Sequence, residues 1–412
     1  MEMFHNKILR LGFFLVLLIV GVLQMSFRVQ EQQVFGGHIN GLAVDRVHDA
    51  RLLTRLAKKK YLFDADIQGA KVLLKQALIS ASYSIPAWLS LAELYNDEGH
   101  RQQSRQVLEY TDLLTSEINR WRWEKTLVDY QVGRTEILAS ELSYIIAEVP
   151  GKTRRDGLQL AFTLWDSPDD LLLNVGYKNI KHLMAHAIAK KLPKKGLFFW
   201  QIMQNRGVTL EERTLLSFLD MLLREGEIRA AGDIWRAYFN SQSILFNQDF
   251  AKPFCQLAFG WRAWGNKAFT MKFEPSIKDG SGRSLHYRFK GWQNFTFEHL
   301  YQIVPLVGGQ LYEFTGEFKT KNVTTDQRPF VEIYGFECNK GYAKSAQVEA
   351  NKDWTTIKFI FGVSEECESI VVRLRRDESW RIDNKLAGQL WLRNFEIIQT
   401  GQIFTVFDAL PL

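Results

Sequence analysis

The sequence predicts a multidomain α-plus-β chain with an N-terminal transmembrane helix, an α-solenoid and a C-terminal antiparallel β-sandwich. Three observations carry this. Residues 11–23 (LGFFLVLLIVGVL) contain no polar side chain. From about residue 42 to 250, apolar residues recur with the helical period, and after Pro253 the period falls to 2. The 412 residues exceed what one core ordinarily holds, and a composition of 46% hydrophobic and 24% charged residues is that of a folded chain. The expected divisions are an anchor over 1–28, a linker over 29–41, a helical-repeat domain over 42–252 and a β-sandwich over 253–412.

The apolar stretch continues to residue 27, near the lower limit for crossing a hydrocarbon core. Lys7 and Arg10 precede it, which places the N-terminus in the cytoplasm and the bulk in the periplasm or other extracytoplasmic space. The following GVLQMSFRVQ offers no small-x-small cleavage site and no lipoprotein cysteine. An uncleaved single-pass anchor in the inner membrane is therefore expected, with a cleaved signal peptide as the alternative. Residues 30–40, with Gly36-Gly37, read as a polar spacer. The net charge of +6 is spread without a long basic run, so no nucleic-acid partner is expected. Cys255, Cys338 and Cys367 are read as three buried thiols, with pairing of Cys338 and Cys367 across strands as the alternative.

In the middle region Trp88, Leu91, Ala92, Tyr95, Gly99, Ser104 and Leu108 form a spaced pattern. A small residue lets two helices approach, a glycine takes the turn, and aromatics fill the groove against the next pair. Gly133 follows Gly99 at a period of about 34 residues, flanked by Leu127, Tyr130, Ala139 and Leu142. A third instance is Leu215, Phe218, Leu219, Leu222, Gly226, Ala231, Trp235 and Tyr238. The pattern resembles the tetratricopeptide repeat and implies a stacked solenoid offering a surface to a protein partner. Residues 154–191 and 197–206 read as helical but match it poorly. Trp121, Trp123, Trp165 and Trp200 are candidates for that surface, although aromatics at helical spacing are mostly core.

Beyond Pro253, strict alternation marks RSLHYRF, QLYEFTGEF and TTIKFIF as strands. Further strand-like runs are 300–304, 330–336, 370–375 and 389–398. About eight short strands separated by Gly, Asn and Asp turns predict a jelly-roll sandwich.

The order Phe259-Gly260-Trp261-Arg262, then Gly282-Arg283-Ser284-Leu285, then residues 302–312 (QIVPLVGGQLY) resembles jelly-roll carbohydrate-binding modules, as do Trp354-Thr355 and residues 390–396 (LWLRNFE). The resemblance implies sugar binding by exposed aromatics aided by Arg, Asn and acidic side chains. The candidates lie off the alternating core positions: Trp292, Asn294, Tyr334, Arg373, Arg375 and Trp380. Trp261, Trp354 and Trp391 occupy the family's packing positions and are expected in the core. The aspartate such modules carry near the last strand, often linked to calcium, is replaced around Arg393-Asn394, so no metal is expected.

No catalytic residue is assigned and no cofactor is implied. His182 and His186 stand at i and i+4, but Leu183 replaces the glutamate of a zincin, and two surface histidines are expected. No nucleophile elbow, phosphate loop or dinucleotide fingerprint occurs. Alternation places Glu313 and Glu317 on a solvated face. The domain combination resembles accessory proteins of bacterial exopolysaccharide assembly. It implies a non-catalytic membrane-anchored envelope scaffold, with a protein partner on the repeats, a polysaccharide on the sandwich and the membrane contacted through residues 11–27. The alternatives are a structural adaptor of a secretion or pilus system without sugar binding, and a glycan-active enzyme with an unrecognised site.

Overall fold

The computed structural model describes residues 14–26, 29, 49–115, 118–239, 243–275, 283–338 and 340–403. Lys7, Arg10, residues 11–13 and 27, and the spacer 30–40 lie outside the described residues. Residues 14–26 are helical, with exposed apolar side chains from Phe14 to Met25. No helix among the described residues is long and apolar enough to cross a membrane. The expected spanning helix over 11–27 is therefore not found as such, only its helical, apolar middle.

The chain divides into two compact units, 1–183 and 184–412. The first is helical: α1 (Ala50–Asp64), α2 (Ile67–Ser80), α3 (Ile85–Asp97), α4 (Arg101–Thr115), α5 (Asn119–Val132), α6 (Thr135–Glu148), α7 (Lys152–Leu164) and α8 (Pro168–Val175). Local chemistry sets the ends. Asp49 accepts hydrogen bonds from the Arg51 and Leu52 N–H groups at the start of α1, and Asp66 accepts from Gly69 N–H at the start of α2. Gly99 and Gly133 turn the chain with φ of +81° and +76°, a left-handed conformation that a side chain resists. Where α3 and α4 meet, buried Ala92 and Ser104 permit close approach, and the Ser104 hydroxyl donates to the Ala92 carbonyl at 2.7 Å. The helical-repeat expectation is consistent with this unit.

The helix α9 (Ile180–Ala189) spans the division. In it His182 and His186 are half-buried rather than on the surface. Burial pushes both imidazoles down, His186 to about 4, so both are neutral at physiological pH. The expectation of surface histidines is corrected by the apolar residues Leu183, Met184 and Ala187, which turn that helix inward.

The second unit contains α10 (Pro193–Asn205), α11 (Glu212–Arg224) and α12 (Ile228–Phe239), then the strands. Gly226, the third pattern glycine, has φ of +83° between α11 and α12. The strands are β1 (Arg262–Ala263), β2 (Phe269–Pro275), β3 (Arg283–Lys290), β4 (Phe297–Pro305), β5 (Gln310–Lys321), β6 (Phe330–Gly335), β7 (Gly341–Lys344), β8 (Lys352–Gly362), β9 (Ser369–Arg376) and β10 (Ala387–Ile403). They form two five-stranded sheets, β1-β4-β9-β6-β7 and β2-β3-β10-β5-β8, all paired antiparallel. Between them lies an aromatic core that includes Tyr287, Phe297, Phe314, Phe318 and Phe395. Trp261 belongs to it.

The helices of this unit are fastened to the sandwich. Buried Asp220 of α11 accepts from the Arg262 guanidinium at 2.6 Å and from Ala258 N–H at 3.0 Å. Trp235 of α12 packs edge-on against Phe246 and Phe259. A Cβ added at Gly232 of α12 would stand 3.1 Å from Pro305, a tight approach that the glycine relieves.

Cys338 and Cys367 form a disulfide, and Cys255 is a free, half-buried thiol. The reading of three thiols is thus overturned. The register pairs Gly335 with Ile370, so the turn after β6 and the turn before β9 lie side by side at one sheet end. The bridge closes a sequence separation of 29 residues, for which chain entropy gives about 3–4 kcal/mol. Reduction is expected to lower the melting temperature of the wild type and of Cys255→Ser alike, and to leave Cys338→Ser unaffected. A thermal melt with and without dithiothreitol checks this.

Candidate functional site

The candidate site is the outward side of the sheet β1-β4-β9-β6-β7, together with the loops at one of its ends. On β9, Ile370, Val372 and Leu374 enter the core, so Val371, Arg373 and Arg375 face outward. On β6, Val331 and Ile333 enter the core and leave Glu332 and Tyr334 outward. Register then sets one row of side chains across all five strands. Arg262 pairs with Tyr301, Tyr301 with Arg373, Arg373 with Glu332, and Glu332 with Lys344.

The row is held electrostatically. Glu332 is only 3% exposed and accepts from Arg373 Nε at 2.5 Å and from Arg375 Nη1 at 3.0 Å, with Lys344 Nζ 3.4 Å away. Burial works against its charge, but the hydrogen bonds from Arg375 and Arg373 outweigh it and hold the carboxyl below the usual range. A carboxylate so held does not donate a proton near neutral pH, which argues against a general-acid role. The Arg373 guanidinium lies 5.2 Å from the Tyr334 ring centroid and the Arg262 guanidinium 5.6 Å from that of Tyr301. Trp264, 44% exposed, stands edge-on to Tyr301 at the margin of the sheet. Aromatic faces and the guanidinium groups of Arg373 and Arg375 thus share the outward side of one sheet, above a carboxylate that its own cations cover, a combination suited to polyhydroxylated ligands.

At the loop end, Arg376 turns the opposite way from Arg375 and is completely buried. Among the described residues no carboxylate pairs with it. It donates to the carbonyls of Phe295, Gln327 (3.0 Å) and Asn384 (3.1 Å) and to Asn294 Oδ1 (3.0 Å). Burial pulls its pKa down, with Glu378, Asp326 and Asp377 opposing from a distance. Three loops, 291–296, 322–329 and 377–386, are thereby laced together. Asn294 adds a bond to the Ser379 carbonyl at 2.8 Å, and Ser379 Oγ donates to Asp326 at 2.5 Å. On this stiff scaffold Trp380 and Ile382 are fully exposed at 100% and 103%, and Trp292 stands 65% exposed beneath the Lys290 ammonium.

The six expected residues therefore fall into two neighbouring places. Tyr334, Arg373 and Arg375 share the sheet face, with both arginines engaged by Glu332. Trp292 and Trp380 project from the laced loops. Asn294 spends its amide on Arg376 and Ser379, so it positions those loops rather than meeting solvent. Sequence reasoning missed Tyr301, Trp264, Lys344 and the part played by Glu332. Tyr301 alternates with core Leu300 in a run already read as a strand, and that alternation was its signal.

Two tryptophans expected in the core are not there. Leu390 and Leu392 both point inward, so Trp391 between them must point out. It stacks on His286 at 4.3 Å, on the outer side of the other sheet. Trp354 likewise lies half-buried under the Arg393 guanidinium, 4.1 Å from its centroid. Glu313 and Glu317 face outward as alternation expects, paired with Lys358 and Arg393.

No protein-family model matches the chain, and no curated protein matches it. Solved structures similar to it include carbohydrate-binding modules that match the β-sandwich. A CBM4 module is 16% identical with a TM-score of 0.28, over 38% of this chain and 99% of that one. TmCBM61, solved with β-1,4-galactotriose, is 15% identical with a TM-score of 0.28, over 39% of this chain and 99% of that one. The CBM22-1 xylan-binding domain of Paenibacillus barcinonensis Xyn10C is 15% identical with a TM-score of 0.25, over 38% and 93%. At these identities and scores, no ligand and no site residue passes from those proteins to this chain.

Proposed function

We propose that this protein is a non-catalytic, membrane-tethered envelope scaffold in polysaccharide assembly or export. In this reading its sandwich holds glycan on the outward face of the β1-β4-β9-β6-β7 sheet and its helical array docks a protein partner. The observation that carries the glycan reading is the outward row Tyr301, Arg373 and Lys344, flanked by Tyr334 and Trp264 and held in place by buried Glu332. The exposed apolar side chains of helical residues 14–26 support a membrane tether, with the N-terminus cytoplasmic and the bulk periplasmic. The Cys338–Cys367 disulfide supports an oxidising compartment for the sandwich.

The test is affinity electrophoresis of the full chain in detergent through gels containing neutral and acidic polysaccharides. Tyr334→Ala and Arg373→Ala are expected to weaken retention about tenfold each, equivalent to roughly 1.4 kcal/mol, without shifting the melting temperature by more than a few degrees. Retention of no polysaccharide by the wild type would remove the glycan reading. A second reading, a structural adaptor of a secretion or pilus system, is favoured by one fact: the Glu332 carboxylate is already shared among three cations of its own sheet. Cross-linking in intact membranes separates the two, through glycan-assembly enzymes on one side and secretion or pilus components on the other.

A further inference from the structure

The helical unit holds a cavity of about 840 Å³ whose walls are strongly one-signed. Arg51, Arg55 and Lys58 line it from α1, spaced i, i+4 and i+7, so one helix face contributes all three. Arg120 of α5 closes the other side, its guanidinium 5.0 Å from the ring centroid of Trp121. The single carboxylate in the lining is Asp49, and it is committed to capping α1 through the Arg51 and Leu52 N–H groups at 2.9 Å. Arg51 and Arg120 enter no ion pair among the described residues. Lys58 is balanced in part by half-buried Glu93 behind it. With Asp49 committed to its helix, the guanidinium groups of Arg51 and Arg120 leave a cavity that attracts negative charge.

We propose that this cavity binds an acidic peptide segment of a partner protein, its Asp or Glu side chains on Arg51 and Arg120 and an apolar side chain between them. Two features favour a peptide over an acidic polysaccharide. The remaining lining is largely apolar, with Ala81, Ile85 and Pro86 offering a seat for an aliphatic or aromatic side chain. Sugar hydroxyls, which need acceptors as well as donors, would find only the hydroxyls of Thr54, Ser80, Ser84 and Tyr83 beside the committed Asp49. Guanidinium groups are also the side chains best shaped for carboxylate pairs. The inference rests on the proposal that the helical array docks a protein, and is independent of whether the sandwich holds a sugar.

The test is fluorescence anisotropy of the full chain with a short fluorescein-labelled peptide of Glu-Glu-Leu repeats. The matched Lys-Lys-Leu peptide is the control, and unlabelled polygalacturonate is the competitor. Saturable binding of the acidic peptide is expected, weakened at least tenfold by Arg51→Glu or Arg120→Glu and less by Arg120→Lys. Raising the salt should also weaken it. Lys152→Glu, exposed on α7 outside the cavity, should leave it unchanged. Circular dichroism establishes that each variant keeps its helical content. Absence of saturable binding, insensitivity to both charge reversals, or displacement by polygalacturonate at lower charge concentration than by unlabelled peptide would each overturn the inference. A partner cross-linked to the helical array with equal yield in wild type and in Arg51→Glu/Arg120→Glu would also overturn it, while leaving the wider docking proposal standing.

Discussion

Replacing Arg376 with methionine is expected to lower the melting temperature of the sandwich-bearing unit by roughly 10 °C, corresponding to about 3–5 kcal/mol. The buried guanidinium supplies donors to three carbonyls and one side-chain amide, drawn from three loops. Methionine fills much of the volume but removes all four donations, at a cost of about 1 kcal/mol or more apiece; Asn294 Oδ1 keeps the Ser379 N–H and the Gln327 carbonyl keeps the Thr325 hydroxyl, so the Phe295 and Asn384 carbonyls lose most. Trypsin is expected to cut after Arg381 or Lys385 in the variant long before it cuts the wild type there, because loop 377–386 loses its fastening. Arg375→Met is the comparison. It removes one outward partner of Glu332, which keeps Arg373 and Lys344, so its effect should be within about 1 kcal/mol. Equal losses from the two substitutions would show that the interior lacing is not what holds the loops.

The second large effect belongs to the helical unit. Asp129 of α5 is fully buried and accepts from Lys125 Nζ at 2.7 Å and Arg134 Nη1 at 2.8 Å, while Asp112 of α4 reaches the same two cations from the rim at 2.5 and 2.8 Å. Burial disfavours the charged amine of Lys125, but the two carboxylates outweigh it and raise its pKa. Asp129→Ala strands two buried cations with one half-exposed partner, and is expected to cost about 3–5 kcal/mol. Asp112→Ala should cost clearly less, since Asp129 remains to both cations. Replacing Lys125 and Asp129 together by apolar residues should recover part of the loss. Urea denaturation followed by far-ultraviolet circular dichroism measures all three, and an Asp129→Ala loss no larger than that of Asp112→Ala would refute the account.

Much of this architecture is legible in the sequence because it rests on local rules. The three pattern glycines fall on positive φ between helices because only there does the turn demand it. The strands expected from alternation are interior or long ones. Those not expected, β1, β2 and β7, are edge strands, where one neighbour suffices and a short or irregular pattern still pairs. The tryptophans show where resemblance and periodicity part company. Likeness to a family turns Trp354 and Trp391 inward, whereas the alternation around Leu390 and Leu392 turns Trp391 outward. The tie of Asp112 to Lys125 and Arg134, the Arg376 lacing and the Cys338–Cys367 bridge join residues on different elements. No local pattern announces them, because each depends on which turns the sheets and helices bring side by side.

The attachment of α11 and α12 bears on what can be separated from what. A sandwich excised where the sequence changes period, near residue 253, would leave Arg262 without Asp220 and would uncover Phe259 where Trp235 now packs. The portion of this half that keeps both contacts therefore begins upstream, with α11 or earlier. The unit that evolution can copy, move or fuse is the sandwich together with its helical footing, and a cut made at the visible seam of the sequence would pass through a joint of the structure.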